Sequence, residues 1–151
     1  MHRRAEIADG CNKRYLEALA SINTDEPLAQ VVGSVCRRMK WKGQRVRALR
    51  PWSAEDRDLL SVISRGEFMI NGFRNRDLAN HLYPAARHSI ADTGRASGRV
   101  TRKLRLLRAH RIIRKITGTH RYMLTKKGRG ITTAIIEYQN LSLQQLNKLS
   151  A

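Results

Sequence analysis

The chain has 151 residues, enough for one ordinary domain or for a small domain with an appendage. Its hydrophobic content of 41% can supply a core and argues against wholesale disorder. The formal net charge of +18 indicates a polyanionic partner, but membrane surfaces are anionic as well as nucleic acid, so the charge alone does not identify it. No apolar run approaches the ~20 residues of a membrane-spanning helix.

The compartment is inferred from the N-terminus and from the cysteines. Residues 1–10 are polar and charged, so no signal peptide is visible. Cys11 and Cys36 have neither metal-ligand spacing nor the pattern of a disulfide framework. We therefore expect a cytoplasmic protein with no membrane partner.

The N-terminal third is predicted to be helical as far as residue 38. Helical spacing relates the apolar residues Tyr15, Leu16, Leu19 and Ile22. A second helix is predicted to start near Asp25, with Pro27 in its first turn. Residues 37–50 then carry seven Lys or Arg in fourteen residues, as either a linker or a short extended arm. This composition divides the chain into a helical extension with a basic linker, 1–50, and a main domain, 51–151.

The main domain opens with a helix, a short strand and a turn. Ser53 is a good N-cap, with acidic residues in the first turn after it, and the helix is predicted to end at Gly66. Residues 68–70 are too few for a helix and are interpreted as a small strand. The Asn71-Gly72 pair that follows indicates a turn.

Two further helices are predicted around a long loop. The first covers residues 73–82, with Asn75 as a possible cap. The loop covers residues 83–94, because Pro84 stops the helix and the end of the segment is rich in turn formers. The second helix runs from about residue 95 to 110 and buries a stripe formed by Ala96, Val100, Leu104 and Leu107.

Strands at 112–116 and 121–125, joined by the turn at 117–120, predict a β-hairpin after that helix. A last helix follows over about 126–149, with Thr125 as its cap and a kink or interruption near residues 140–142. No acidic residue occurs between Asp92 and Glu137, although this stretch contains thirteen Lys or Arg. Helix faces exposed only to solvent normally mix both signs of charge, so this stretch indicates contact with nucleic acid.

This order of elements resembles a winged helix-turn-helix domain over about residues 52–138. The most specific part, residues 100–128, is similar to the MarR- and ArsR-type pattern of recognition helix, wing and "Y-x-L-T-x-x-G". The matching positions are Leu104, Leu107, Ile112, Ile113, Tyr122, Leu124, Thr125 and Gly128. The resemblance implies a mainly α fold with a small β-hairpin wing (α+β), here with an α-helical N-terminal extension. The loop at 83–94 is longer than the usual turn, and no MarR-type dimerisation arm is recognisable.

The resemblance also implies a function and a set of contact residues. In such domains the third helix enters the major groove of duplex DNA, and the hairpin lies along the backbone or in the minor groove. Carried over to this chain, the nucleic-acid-binding residues are Arg95, Ser97, Arg99, Thr101, Arg102, Lys103, Thr119, His120 and Arg121. The implied role is bacterial transcriptional regulation, or DNA binding within a mobile-element or defence system.

Other readings of the sequence remain open. The same basic surface suits an RNA-binding or nucleoprotein-assembly subunit, and a protein-interaction module that lost groove binding is a third possibility. A homodimer or larger complex is compatible with all three. Trp41 and Trp52 either stack on bases or pack against the edge of the domain. Residues 41–49 and 72–78 resemble the C-terminal part of longer uncharacterised bacterial proteins, which would make this chain a fragment or the product of an internal start.

Nothing in the sequence indicates catalysis. The five histidines are scattered, the aspartates are dispersed, and no nucleophile elbow is present. We therefore predict a protein that is not an enzyme and that uses no metal and no cofactor.

Overall fold

The computed structural model describes residues 28–150, which are mainly helical with two small antiparallel hairpins. The helices are α1 (Leu28–Gly33), α2 (Ala54–Ile63), α3 (Gly66–Asn71), α4 (Asn75–Leu82), α5 (Ile90–Ala109) and α6 (Lys126–Leu149), with a 3-10 helix at Pro84–His88. The strands are β1 (Met39–Trp41), β2 (Gln44–Val46), β3 (Ile113–Lys115) and β4 (Tyr122–Leu124). The helix predicted around Tyr15 to Ile22, and the helix start at Asp25 and Pro27, lie outside the described residues.

The basic stretch 37–50 contains the β1–β2 hairpin, so neither a linker nor a lone extended arm describes it. Met39 pairs with Val46, and Trp41 pairs with Gln44. Lys42 and Gly43, the two turn residues, have φ angles of 50° and 74°. Two consecutive positive φ angles are the signature of a type I′ turn, whose twist matches that of the paired strands.

The helix predicted from Ser53 is confirmed, whereas the strand predicted at 68–70 is wrong. The Ser53 hydroxyl accepts a hydrogen bond from the Asp56 backbone N–H, and α2 ends at Ile63 rather than at Gly66. Residues 68–70 belong to the short helix α3. In this helix the Phe68 ring packs against the rings of Phe73 and His81, with 5.5 Å between ring centres in each pair. Tertiary packing therefore decides the conformation of residues 68–70.

Asn75 does not cap α4, as the sequence suggested. It is the first helical residue, and its amide is used instead to contact α5. The cap position is Arg74, whose backbone N–H donates to the Asp77 carboxylate at 2.7 Å.

Most of the predicted loop at 83–94 is helical. The 3-10 helix takes up Pro84–His88, and α5 begins at Ile90, five residues before the predicted start. Thr93 Oγ1 donates to the Ala86 carbonyl at 2.9 Å, which ties the first turn of α5 to the 3-10 helix. The turn-forming residues that suggested a loop are therefore accommodated within two helices.

The β3–β4 hairpin and the final helix are confirmed, with shorter strands than predicted. Ile113 pairs with Leu124, and an isolated bridge adds Phe73 beside Tyr122. Thr125 caps α6 as expected, because its hydroxyl accepts from the Gly128 N–H at 2.9 Å. Helix α6 continues through residues 140–142 without interruption.

The hydrophobic core draws on both sides of residue 50. Val35, Val46 and Leu49 are buried in one cluster with residues of α2, α4, α5 and α6. The predicted stripe of Ala96, Val100, Leu104 and Leu107 is buried, with each residue at most 5% exposed. Within residues 28–150, no helix is long and apolar enough to cross a membrane.

Candidate nucleic-acid interface

Residues 95–102 of α5 present three exposed arginines, Arg95, Arg99 and Arg102. Their spacing of four and three residues places them on one face of the helix. Arg95 is 77% exposed and pairs with Asp92 one turn earlier, at 3.2 Å. The guanidinium of Arg99 lies 5.6 Å from the centre of the Tyr83 ring, which holds it at the surface. These three arginines are the predicted α5 contacts that form a continuous exposed basic row.

Ser97 and Thr101 have a structural role that the sequence did not reveal. The Asn75 side-chain amide donates to the Ser97 carbonyl at 3.1 Å and to Thr101 Oγ1 at 3.0 Å. The Ser97 hydroxyl in turn donates to Asn75 Oδ1 at 3.1 Å. These hydrogen bonds fix how α4 crosses α5, and contact of the two hydroxyls with nucleic acid stays a prediction.

Lys103, predicted as a nucleic-acid contact, is buried, unlike the three arginines of the row. Its side chain is only 7% exposed, and its ammonium lies 2.5 Å from Glu55 on α2. The hydrogen bond and the charge of Lys103 lower the pKa of Glu55. Sequence spacing identifies acids one turn away on the same helix, but here the acid comes from a different helix. Lys103 therefore holds α5 against α2.

The β1–β2 hairpin covers the C-terminal end of α5, from Arg105 onward. Arg105 donates to the Gln44 side chain, and the Arg108 guanidinium lies 5.0 Å from the Trp41 ring centre. His110 Nε2 lies 2.9 Å from the Arg47 carbonyl oxygen. Leu106 and Ala109 are buried although they lie on a different side of the helix from Leu104 and Leu107. The C-terminal end of α5 is therefore packed on two sides. The row of exposed arginines on α5 therefore ends at Arg102.

The two tryptophans differ in environment. Trp41 is half-buried between the hairpin and α5, with the guanidinium of Arg108 near its ring. Trp52 is 54% exposed and makes an edge contact with Tyr138, with 5.1 Å between ring centres. Packing accounts for Trp41, the more enclosed of the two.

Asp56 anchors the segment that follows β2 to α2. It is 1% exposed, and its carboxylate accepts two hydrogen bonds from Arg47, at 2.6 and 2.7 Å, and one from the Arg50 backbone, at 2.8 Å. Burial by itself raises the pKa of Asp56. The hydrogen bonds from Arg47 and Arg50 outweigh it and hold the pKa below its ordinary value. The ionised carboxylate thus keeps the hairpin in place over α5.

The three predicted residues of the β3–β4 turn do not act alike. Thr119 Oγ1 donates to the Ile116 carbonyl and accepts from the Arg121 N–H, which stabilises the turn. His120 is exposed on the side that faces α5. Arg121 points to the other side of the hairpin and donates to the Asn71 carbonyl at 3.1 Å. Successive residues of an extended chain alternate in direction, which separates His120 from Arg121.

Several basic residues near this face were not among the predicted contacts. They lie on the β1–β2 hairpin, at the start of α4, and along the covered side of α5: Lys40, Lys42, Arg45, Arg74, Arg76, Arg105 and Arg108. The hairpin residues could have been found from the Lys-Gly turn between short alternating stretches. The arginines of α4 become neighbours of α5 only through the tertiary fold.

Comparisons with protein-family models, with curated proteins and with solved structures find no match for the chain. Among the residues that the structure describes, no three His, Cys, Asp or Glu side chains come together as a possible metal site. The functional argument therefore depends on the surface itself.

Proposed function

We propose that the chain is a winged helix-turn-helix protein that binds duplex DNA through the exposed arginines of α5 between residues 95 and 102. The observation that carries the proposal is the row of exposed arginines at positions 95, 99 and 102, with His120 of the β3–β4 hairpin exposed on the side that faces α5. The succession of α4, 3-10 helix, α5 and hairpin supports the winged-helix assignment. The bridge between Phe73 and Tyr122 supports it too, because it ties the chain before α4 to the hairpin.

In this proposal, affinity and sequence preference come from different contacts. Most of the binding free energy comes from neutralising phosphates, which releases counter-ions. Arg99 and Arg102 project into the major groove, where a guanidinium forms two hydrogen bonds with guanine O6 and N7. Binding needs no cofactor and no chemical step. The biological role we propose is bacterial transcriptional regulation or DNA binding in a mobile-element or defence system.

A binding series with duplex DNA, single-stranded DNA and structured RNA at two salt concentrations tests this function. We expect duplex DNA to bind most tightly, and Arg99→Ala to lose about 1–3 kcal/mol of binding free energy against the preferred sequence. Arg57→Ala is the matched control, since Arg57 is an exposed arginine on α2, outside the row. Tighter binding of structured RNA would favour the RNA-associated role. No binding to any nucleic acid would leave a protein-interaction module.

We also propose that the C-terminal end of α6 pairs with a second copy of this chain. Tyr138, Leu141 and Leu149 are 48%, 56% and 85% exposed, and helical spacing puts them on one face. Residues 130–151 carry only two charged side chains, Glu137 and Lys148. In a protein with a net charge of +18, this near-neutral end is where two copies approach without strong repulsion.

The oligomeric state measured by light scattering tests this pairing. Leu141→Ser combined with Leu149→Ser should shift the protein from dimer to monomer. Leu143→Ser is the control, because Leu143 is 60% exposed but lies on a different face of the helix. A wild-type chain that is monomeric at high concentration would contradict the pairing.

A further inference from the structure

We propose that the cleft between the two hairpins is a second binding site, which holds a backbone phosphate of the nucleic acid. The inference rests on the proposed function and adds to it a contact away from the exposed arginine row. The cleft lies beside α5, between the β1–β2 hairpin on one side and the start of α4 and the β3–β4 hairpin on the other. Its volume is about 540 Å³.

The cleft is lined by cations and by few groups that could balance them. Arginines come from two helices, Arg74 and Arg76 from the start of α4 and Arg105 and Arg108 from α5, and His120 comes from the hairpin turn. None of the described residues that line the cleft is acidic. The nearest ion pair is loose, since Arg76 Nε is 4.0 Å from Asp77. Such a concentration of positive charge in a concave site favours an anion.

An unsatisfied donor points to the same conclusion. Arg74 Nε is buried and has no hydrogen-bond partner among the described residues. A buried charged donor without an acceptor is unfavourable, and the guanidinium geometry matches two oxygens of one phosphate. A phosphate oxygen in the cleft would supply the missing acceptor once the Arg74 side chain turns toward it.

The fold holds the other guanidinium groups in place before any ligand arrives. Arg108 lies over the Trp41 ring, and Arg105 is held by Gln44, so both side chains are positioned by the β1–β2 hairpin. Side chains that are already ordered lose less conformational entropy on binding. The β1–β2 hairpin, which covers the C-terminal end of α5, therefore also forms one wall of the cleft.

A polymeric ligand fits better than a small free anion, because the cleft adjoins the depression beside Arg99 and Arg102. Arg105 lines this cleft and also the neighbouring depression that contains Arg99 and Arg102. A nucleic-acid backbone that passes along the exposed arginines at 95–102 can therefore extend into the cleft. The two regions would contact successive parts of one strand.

The test uses the full chain and compares Arg74→Gln with Arg57→Gln, which removes the same charge from α2. At about 0.1 M salt, Arg74→Gln should weaken binding of duplex DNA about tenfold and make the salt slope shallower by about one. The loss should be the same for a preferred and a scrambled sequence, because a phosphate contact does not read bases. Arg57→Gln should change neither quantity. If Arg74→Gln does not fold, Arg76→Gln, whose side chain is 76% exposed, gives the same comparison.

The fluorescence of Trp41, which lines the cleft, provides a second and more direct measurement. Trp52→Phe leaves Trp41 as the only tryptophan, since the chain has two. Duplex DNA should change the Trp41 emission in this background, and Arg74→Gln should reduce that change at matched saturation. DNA binding with an unaltered salt slope in Arg74→Gln, and unchanged Trp41 emission, would overturn the cleft but leave the proposed function intact. A wild-type chain that binds no nucleic acid would instead overturn the proposed function.

Discussion

Asp56→Asn tests whether one buried carboxylate holds the β1–β2 hairpin region on the main domain. The substitution keeps the size of the side chain but removes the charge that accepts two hydrogen bonds from Arg47. Removing one partner of a fully buried ion pair costs about 3–5 kcal/mol. The Arg47 side chain is 40% exposed and regains water, so we expect a loss of about 2–3 kcal/mol in the free energy of unfolding.

Urea denaturation at pH 7, followed by circular dichroism, measures this loss. Asp58→Asn is the matched control, because Asp58 is 65% exposed and lies 3.9 Å from Arg57. A surface pair of this kind contributes less than about 1 kcal/mol. Equal losses in the two variants would refute the anchoring role of Asp56.

The pH dependence provides a second check on Asp56. Its pKa is lowered in the folded protein from an ordinary value of 3.8, so the unfolded chain takes up the proton first as the pH falls. The stability that Asp56 contributes is fully present well above pH 3.8 and is lost as the pH falls from there through the folded pKa. The difference between wild type and Asp56→Asn should therefore stay constant from pH 7 to about pH 5 and shrink below pH 4. A difference that persists unchanged at pH 2 would contradict the assignment.

Three further outcomes test the fold and the binding face. The affinity for duplex DNA should fall with salt at a log–log slope of about −5 to −7 if roughly 6–8 phosphates are contacted, and a flat dependence would exclude the basic surface. Leu104→Asp should unfold the domain, since an unpaired buried charge costs several kcal/mol, whereas Arg102→Ala should leave the melting temperature nearly unchanged. Gly128→Ala should destabilise by about 1–3 kcal/mol, because a Cβ there would overlap the Ile112 carbonyl. The helical control Gly94→Ala has open space around it and should stabilise by about 0.5–1 kcal/mol.

Local signals in the sequence were enough for the elements whose stability is local. Ser53 and Thr125 were identified as helix caps from their residue type and position, and both hydroxyls accept the expected backbone hydrogen bonds. The buried stripe of α5 followed from helical periodicity, because an apolar face of a helix must be covered. The β3–β4 hairpin followed from two short apolar strands around a glycine-containing turn.

The errors occur where packing against a neighbouring element decides between local alternatives. Residues 68–70 are equally suited to a strand or to one turn of helix, and the contact of Phe68 with Phe73 and His81 selects the helix. The loop predicted at 83–94 contains turn formers that tolerate helix once Thr93 bonds back to Ala86. Propensity is a weak preference for such segments, and packing outweighs it.

The sequence by itself determined that the chain is basic, mainly helical and equipped with an unopposed run of Lys and Arg, because charge and periodicity are local properties. Only the tertiary structure decided which of those cations are free to meet a partner. Nothing in the sequence distinguishes Lys103 from its exposed neighbours, but in the fold it pairs with Glu55 of α2. The β1–β2 hairpin covers the C-terminal end of α5. Ion pairing and burial depend on distance in space, and residues 48 positions apart have no fixed distance until the chain folds.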